Sequence, residues 1–281
     1  MNRRTFLGGI AGALLAAPLA ADAQQAPKVW RIGVLMDLYS PNANPPQALR
    51  QGLQDLGYVE GRNLVIDWRY QLGQNDRLPA LAAELVRRKP NIIVADSTVA
   101  TRAALQASST IPIVMAASAD AVGTGLVTSL ARPGGNVSGV TIMLAEMSAK
   151  RLQLLKEAVP SVSRVVVLWD PTLRWHQAMV MVKEVEAAAP SLGLQPTVIA
   201  VRNRGDFGDA FEKIARVHVD ALFVSETMAP AARRQLVDFA AKQRLPTMFL
   251  NRDYVTIGGL LSYAPDFSEG FRQAAQYVDK S

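Results

Sequence analysis

The sequence predicts an α/β protein made of two similar lobes, each built on a doubly wound parallel sheet. Short apolar runs typical of buried strands alternate repeatedly with amphipathic helical stretches, and this alternation favours right-handed crossovers and parallel pairing. The order of strands then repeats: the strand at Arg31 returns at Arg164, 133 residues later, and the strand at Ile111 returns at Leu245, 134 residues later. A chain of 281 residues with 49% hydrophobic content can form two such lobes.

The first half of the chain contains four predicted strands with helices between them. The first helix shows an apolar stripe that ends at Gly57, and the second shows one that begins at Leu78. After the fourth strand, Asp120 is expected to precede a glycine-punctuated helix. A tight turn is then expected at Arg132, because the glycines that follow it supply positive φ. The predicted strands span residues 31–36, 64–68, 91–95 and 111–115.

The second half repeats this design and ends in a return to the first lobe. Strands are predicted from Arg164, near Pro196, from Asp220 and from Leu245, and a strand that crosses back is predicted at 258–263. Residues 126–143 have no visible counterpart and are assigned to the first crossing between lobes. The predicted division is a first lobe of 24–142 plus 255–281 and a second lobe of 143–254, with a final helix after residue 266.

The N-terminus reads as an export signal over residues 1–23. A basic pair, Arg3 and Arg4, precedes an apolar Ala/Gly-rich run, and Ala21 to Ala23 form an A-x-A cleavage site. Cleavage near Ala23 predicts a periplasmic protein without a membrane anchor. The arginine pair also resembles a twin-arginine signal, so the export route stays open between the two pathways.

Composition excludes several classes of function. The formal charge of +6 comes from scattered basic residues, whereas a nucleic-acid surface needs a clustered basic face, so no nucleic-acid partner is expected. The chain has no cysteine and only two histidines, His176 and His218, which predicts no metal site and no cofactor. Nucleotide-binding, hydrolase and zinc-protease motifs are missing from the sequence, so we predict that the protein is not an enzyme.

Candidate ligand-binding residues follow from the rule that open parallel sheets bind ligands at the carboxyl ends of their strands. Ser97 and Thr98 open a helix whose free N–H groups and hydroxyls could receive a carboxylate, although simple N-capping is an equal alternative. Asp120 could pair with an α-amino group, which we favour over capping of the helix expected at Ala121. The full predicted set is Tyr39, Ser40, Ser97, Thr98, Asp120, Asp170, Ser225, Glu226, Thr227, Tyr254 and Tyr263.

Four segments give the chain a family resemblance: 120–126, 130–139, 244–248 and 258–263. In these segments the sequence resembles solute-binding proteins of ATP-binding-cassette importers with the type I periplasmic binding fold, in the group related to tryptophan-binding and other amino-acid-like receptors. It departs from the usual pattern at Ala121, where proline is common, and at Ala264, where glycine is common. Such proteins also continue past the final helix, so a missing C-terminal part is expected.

The resemblance implies a receptor that binds a small polar or amino-acid-like solute between its lobes, closes by hinge motion and delivers the solute to an ABC permease. We also expect a monomer. Two alternatives stay open at this point. An α/β enzyme could use the same cleft, and the same fold serves as the sensor half of repressors, which carry a helix-turn-helix where this chain has an export signal.

Overall fold

The computed structural model describes residues 28–71, 77–144, 146–171, 176–201, 206–225 and 230–281. In these ranges it contains two five-stranded sheets with helices on their faces. All strand pairs are parallel. The predicted fold class is therefore confirmed. Within the described ranges, no helix is both long enough and apolar enough to cross a membrane.

The first sheet has the strand order β2-β1-β3-β4-β5. Its central strand β1 is fixed in register on both sides, since Val34 lies opposite Trp68 on one neighbour and opposite Val94 on the other. The elements are β1 (Trp30–Met36), α1 (Asn44–Asp55), β2 (Leu64–Tyr70), α2 (Leu78–Arg87), β3 (Ile92–Ala95), α3 (Thr98–Ala107), β4 (Ile113–Ala119) and β5 (Val137–Ile142).

The second sheet has the order β7-β6-β8-β9-β10, which is the order of the first sheet with each strand replaced by its repeat. Its last strand, β10, therefore corresponds to β5. The elements are α4 (Glu146–Ala158), β6 (Arg164–Trp169), α5 (His176–Ala188), a 3₁₀ turn (Pro190–Leu192), β7 (Gln195–Ala200), α6 (Asp206–Arg216), β8 (Ala221–Val224), α7 (Pro230–Gln243), β9 (Thr247–Phe249), α8 (Arg252–Thr256), β10 (Leu261–Ser262) and α9 (Phe267–Asp279).

Two local predictions around the first crossing are wrong. Residues 126–143 do have a counterpart, because they contain β5, whose equivalent β10 is too short to be matched by sequence alone. The helix expected after Asp120 is replaced by turns over 121–125. Asp120 has a φ of 42° and Gly125 a φ of 70°, and left-handed residues at both ends of such a short segment interrupt a right-handed helix.

Helix α9 returns to the first lobe and packs on α1 and β4. Glycines permit this close approach. A Cβ on Gly52 would lie 2.9 Å from the Cβ of Ala275, and a Cβ on Gly270 would lie 2.6 Å from the carbonyl oxygen of Ala116 in β4. The return crossing thus closes one face of the first core with a helix from the far end of the chain.

A small apolar cluster joins the two lobes beside the crossings. Ala119 at the end of β4 contacts Leu144 of the first crossing, together with Met181 from α5 and Leu250 after β9, and all four are buried. Phe267, at the start of α9, packs against the same cluster. The exact lobe limits predicted from sequence stay predictions, although β10 pairs with β9 and so extends the second sheet to Ser262.

Candidate functional site

The carboxyl ends of the strands place Tyr39 between the two lobes. Tyr39 follows β1, and its ring packs edge-on against Phe271 with centroids 5.8 Å apart, and against Phe267 at 6.3 Å. Burial raises the pKa of the Tyr39 phenol, and the negative charges of Asp96 and Asp253 raise it further. Asp253 lies on α8 of the second lobe. Tyr39 therefore faces the second lobe, while Ser40 beside it is exposed.

The Ser97 side chain is occupied by the protein itself. Its hydroxyl is buried, donates to Asp37 Oδ2 at 3.0 Å and accepts from the Ala100 amide at 3.0 Å. The Thr98 hydroxyl is likewise held by the main chain of Ala119. The hydroxyl roles are thus structural, but within the described residues the main-chain N–H groups of Thr98 and Val99 donate to no protein acceptor. These amides remain at the N-terminus of α3 as donors for an anion.

Asp120 combines a capping role with an open carboxylate oxygen. Its Oδ1 accepts from the Gly123 amide at 2.8 Å, and its main-chain oxygen accepts from the Thr124 hydroxyl and amide. The carboxylate lies so close over Gly123 that a Cβ there would meet Oδ2 at 2.0 Å. The turn after β4 therefore fixes Asp120, and the described part of the chain provides no hydrogen-bond donor to Oδ2.

The predicted residues of the second lobe divide into buried and accessible ones. Ser225 is fully buried, and its hydroxyl donates to the Leu168 carbonyl of β6 at 3.1 Å. Tyr254 is also fully buried and stacks on Phe249 with centroids 4.2 Å apart. Asp170 is partly buried at the end of β6, and Tyr263 is 41% exposed at the return crossing. Glu226 and Thr227 lie outside the described residues.

A buried carboxylate at the end of β3, Asp96, was missed by sequence reasoning. It is fully buried, and its two oxygens accept separately from the Asp37 amide at 2.9 Å and the Leu38 amide at 2.8 Å. Burial raises the pKa of Asp96 to about 7, against the lowering effect of these two hydrogen bonds. An aspartate directly before the predicted helix cap Ser97, after an apolar strand, was the available signal.

The Asp37 side chain extends this polar network. Its Oδ1 accepts from Gln71 Nε2 at 2.9 Å and its Oδ2 accepts from the Ser97 hydroxyl, while burial raises the pKa of the carboxyl. Asp37 thereby links the ends of β1, β2 and β3. The loop that follows β1 is therefore held at Asp37 both by the amide, which donates to Asp96, and by the side-chain carboxylate.

A second missed residue, Arg151, lies under the carboxyl end of the second sheet. It is fully buried, and its guanidinium donates to the main-chain oxygens of Val224 at 3.2 Å and Ser225 at 3.3 Å. Its Cζ also lies 4.6 Å from the ring centroid of Phe223. Arg151 occupies a core position of α4 with Ser148, Leu152 and Leu155. An arginine in an apolar helical stripe was the sequence signal for this role.

The arrangement suits reversible binding of a small polar molecule better than bond-making chemistry. The described residues contain no group of three or more His, Cys, Asp or Glu side chains that could hold a metal ion. The groups that converge are hydrogen-bond donors at a helix start, a carboxylate and an aromatic ring. Such groups can orient a ligand by hydrogen bonds and apolar contact.

Comparison with known proteins identifies the family. A family model described as ABC transporter substrate binding protein matches residues 42–280. A tyrosine-binding protein of Clostridioides difficile (strain R20291) is 39% identical over 122 residues, which are 43% of this chain and 34% of that protein. The matched part is thus about a third of that relative's length. The comparisons give no support to the enzyme alternative.

Two solved structures share the fold. The ABC domain in complex with L-Trp from Streptococcus pneumonia is 23% identical, with a TM-score of 0.77, and the similarity covers 90% of this chain and 84% of that one. A conserved domain protein from Vibrio cholerae O1 biovar eltor is 26% identical, with a TM-score of 0.79 and the same coverage. The predicted resemblance to periplasmic binding proteins is confirmed.

Proposed function

Because this chain belongs to the ABC transporter substrate binding protein family, we propose that it is an extracytoplasmic receptor for an amino acid or a similar small zwitterion. The solute binds between the lobes and is handed to an ABC permease. The monomeric protein carries no catalytic activity in this proposal. An N-terminal signal directs its export in this proposal and is cleaved near Ala23, and the mass of the mature protein would test this cleavage.

The observation that carries this proposal is the pair of complementary groups at the carboxyl edge of the first sheet. The Thr98 and Val99 amides offer donors at the start of α3, where the helix dipole favours a carboxylate. Asp120, at the end of the neighbouring strand, offers the open Oδ2 for an ammonium group. A zwitterion needs both kinds of group within one small site.

The side chain of the solute would occupy the apolar surface around these groups. Val99 is 36% exposed and Val122 is 43% exposed, beside the predicted carboxylate and ammonium positions. Tyr39 supplies a ring that faces the second lobe. The tyrosine-binding relative and the L-Trp complex direct the first experiments to aromatic amino acids.

Closure follows from the position of the solute between two lobes. A ligand that touches both lobes only when they are closed shifts the population toward the closed form by its difference in affinity. The cluster of Ala119, Leu144, Met181 and Leu250 stays packed beside the crossings in this structure and provides a site about which the lobes can move. No covalent step is required.

Isothermal titration of the protein with a panel of L-amino acids tests the proposal. We expect saturable binding of at least one aromatic amino acid, and at least tenfold weaker binding by Asp120→Asn, since a charge-assisted contact contributes roughly 1.5–3 kcal/mol. The matched control is Asp55→Asn, which neutralises an exposed carboxylate on α1 that accepts a hydrogen bond from Gln51. A folded protein that binds no solute in the panel, or an Asp120→Asn variant that binds as well as Asp55→Asn, would count against the proposed site.

A further inference from the structure

We infer that Asp96 is a positioning residue for the ligand cleft: it holds the loop after β1 so that Tyr39 faces the second lobe, and this hold weakens when Asp96 is protonated. The inference rests on the proposed function for its effect on affinity. Its effect on the loop can be measured without any ligand.

The Asp96 carboxylate binds the loop after β1 through both of its oxygens. Each oxygen accepts one main-chain N–H, from Asp37 at 2.9 Å and from Leu38 at 2.8 Å. Two consecutive amides of the loop are therefore bound by a single side chain from the end of β3. Ionised carboxylate has two acceptors for these two donors, and such charge-assisted bonds are stronger than neutral ones. Protonation converts one acceptor into a hydroxyl and weakens one of the two contacts.

Tyr39 connects this loop to the boundary between the lobes. Tyr39 immediately follows the two bound amides and packs on Phe267 and Phe271 of α9. Phe267 in turn packs against the apolar cluster that joins the lobes. The phenol also feels the charge of Asp253 from the second lobe. A shift of the loop would therefore change a contact that lies where the lobes meet.

Other titratable groups surround Asp96 and affect its protonation. Asp37 raises the pKa of Asp96 by repulsion, after burial, which is the larger cause, and the Tyr39 and Tyr70 phenols feel the charge of Asp96 in turn. Among the described residues, the causes that set the pKa of Asp96 include no cationic group. The resulting value of about 7 places the protonation of this carboxyl near neutral pH. The two N–H contacts lower the pKa of Asp96, so they favour its ionised form and hold the loop more tightly above that pH than below it. Burial opposes ionisation, and because burial is the larger effect, the fold as a whole loses stability as Asp96 ionises.

A control for Asp96 lies in the second lobe, at the amino ends of the strands of the second sheet. Asp220 Oδ2 accepts from two consecutive amides, Ser163 at 3.0 Å and Arg164 at 2.8 Å. Like Asp96, it binds two consecutive amides, but it does so through one oxygen and at the amino end of β6. Its pKa is lowered to about 2 by these hydrogen bonds, so it does not titrate near neutral pH. An Asn at either position removes the carboxylate charge, but only at Asp96 does it also remove an oxygen that accepts one of the two amides.

The test is a pH titration of the full chain by ¹H–¹⁵N NMR, followed by binding of L-tyrosine and L-tryptophan at pH 5.5 and 8.5. We expect the Asp37 and Leu38 amide signals to move together with one midpoint near 7, to stop titrating in Asp96→Asn, and to titrate normally in Asp220→Asn. Affinity for the bound amino acid should be about tenfold higher at the upper pH in the wild type, and the pH dependence should vanish in Asp96→Asn.

The outcomes distinguish the positioning role of Asp96, the link from the loop to the cleft and the proposed ligand class. If the two amide signals do not titrate in the wild type, or titrate unchanged in Asp96→Asn, the positioning role is refuted whether or not a solute binds. If they titrate as expected and affinity does not change with pH, the link from loop to cleft is refuted. If neither amino acid binds at either pH, the proposed ligand class fails, and the amide titration still decides the role of Asp96. The wild-type titration requires no variant to fold.

Discussion

The close contact between α9 and β4 gives a sharp prediction about Gly270. A Cβ there would lie 2.6 Å from the carbonyl oxygen of Ala116, a backbone atom in the centre of the first lobe that cannot rotate away. Overpacking of this kind costs about 1–3 kcal/mol, while replacing a helical glycine by alanine gains about 0.5–1 kcal/mol. Gly270→Ala should therefore destabilise the protein by roughly 1–2 kcal/mol.

A second helical glycine serves as a control, because replacing it by alanine should bring the gain in stability without the overpacking. Gly208 lies in α6, and a Cβ there would meet no atom of the described residues within 4 Å. Gly208→Ala should stabilise the protein by about 0.5–1 kcal/mol, because the substitution restricts the unfolded chain and improves helix propensity. The two variants make the same chemical change and should move stability in opposite directions.

Urea unfolding followed by circular dichroism measures both variants. Tryptophan fluorescence, read in parallel, tests whether the lobes unfold together, because Trp30 and Trp68 lie in the first lobe and Trp169 in the second. We expect midpoints that differ in opposite directions from the wild type. Equal stabilisation by Gly270→Ala and Gly208→Ala would refute the docking of α9 on β4, and with it the return of the chain to the first lobe.

Two further predictions concern charged side chains. Arg151→Met should lower the free energy of unfolding by about 2–4 kcal/mol in urea titrations, because it leaves the Val224 and Ser225 carbonyls without these donors; full stability would contradict the buried guanidinium. Asp96 has a raised pKa, so its contribution to stability is present below its unfolded value of 3.8 and is lost as pH rises to about 7. Asp220 has a lowered pKa, so its contribution is present above 3.8 and is lost as pH falls to about 2. Thermal unfolding of Asp96→Asn and Asp220→Asn across this range should show opposite pH trends relative to the wild type, and parallel trends would refute both assignments.

The local sequence pattern predicted strands and helices well where a residue's environment is decided by its neighbours in sequence. The buried strands β1 and β6 follow from apolar runs that few other structures can bury. The helix α1 follows from a stripe ended by Gly57, whose φ of 88° favours glycine. The repeat of strand order added long-range information, because equal spacing predicts equal topology, and both sheets do have the same order.

Side-chain roles were predicted less well, because hydrogen bonds depend on which strand ends become neighbours. Ser97 reads in sequence equally as a ligand group or as a helix cap, and in the structure its hydroxyl caps α3 and donates to Asp37 from another strand end. Tyr254 reads as a cleft residue, but Phe249 stacks on its ring and buries it. Asp96 and Arg151 were missed because their buried charges are stabilised by main-chain groups that are distant in the chain.

The run from Ile111 to Met143 shows how the two kinds of information divide. The sequence by itself determined the apolar strand β4, the aspartate at its end and the glycines that follow, because these depend on hydrophobicity and on backbone conformation within a few residues. Tertiary structure decided that Asp120 turns the chain in place of starting a helix, and that β5 belongs to the sheet. Both outcomes depend on main-chain hydrogen bonds to β4 and β5, which form only when these strands lie side by side.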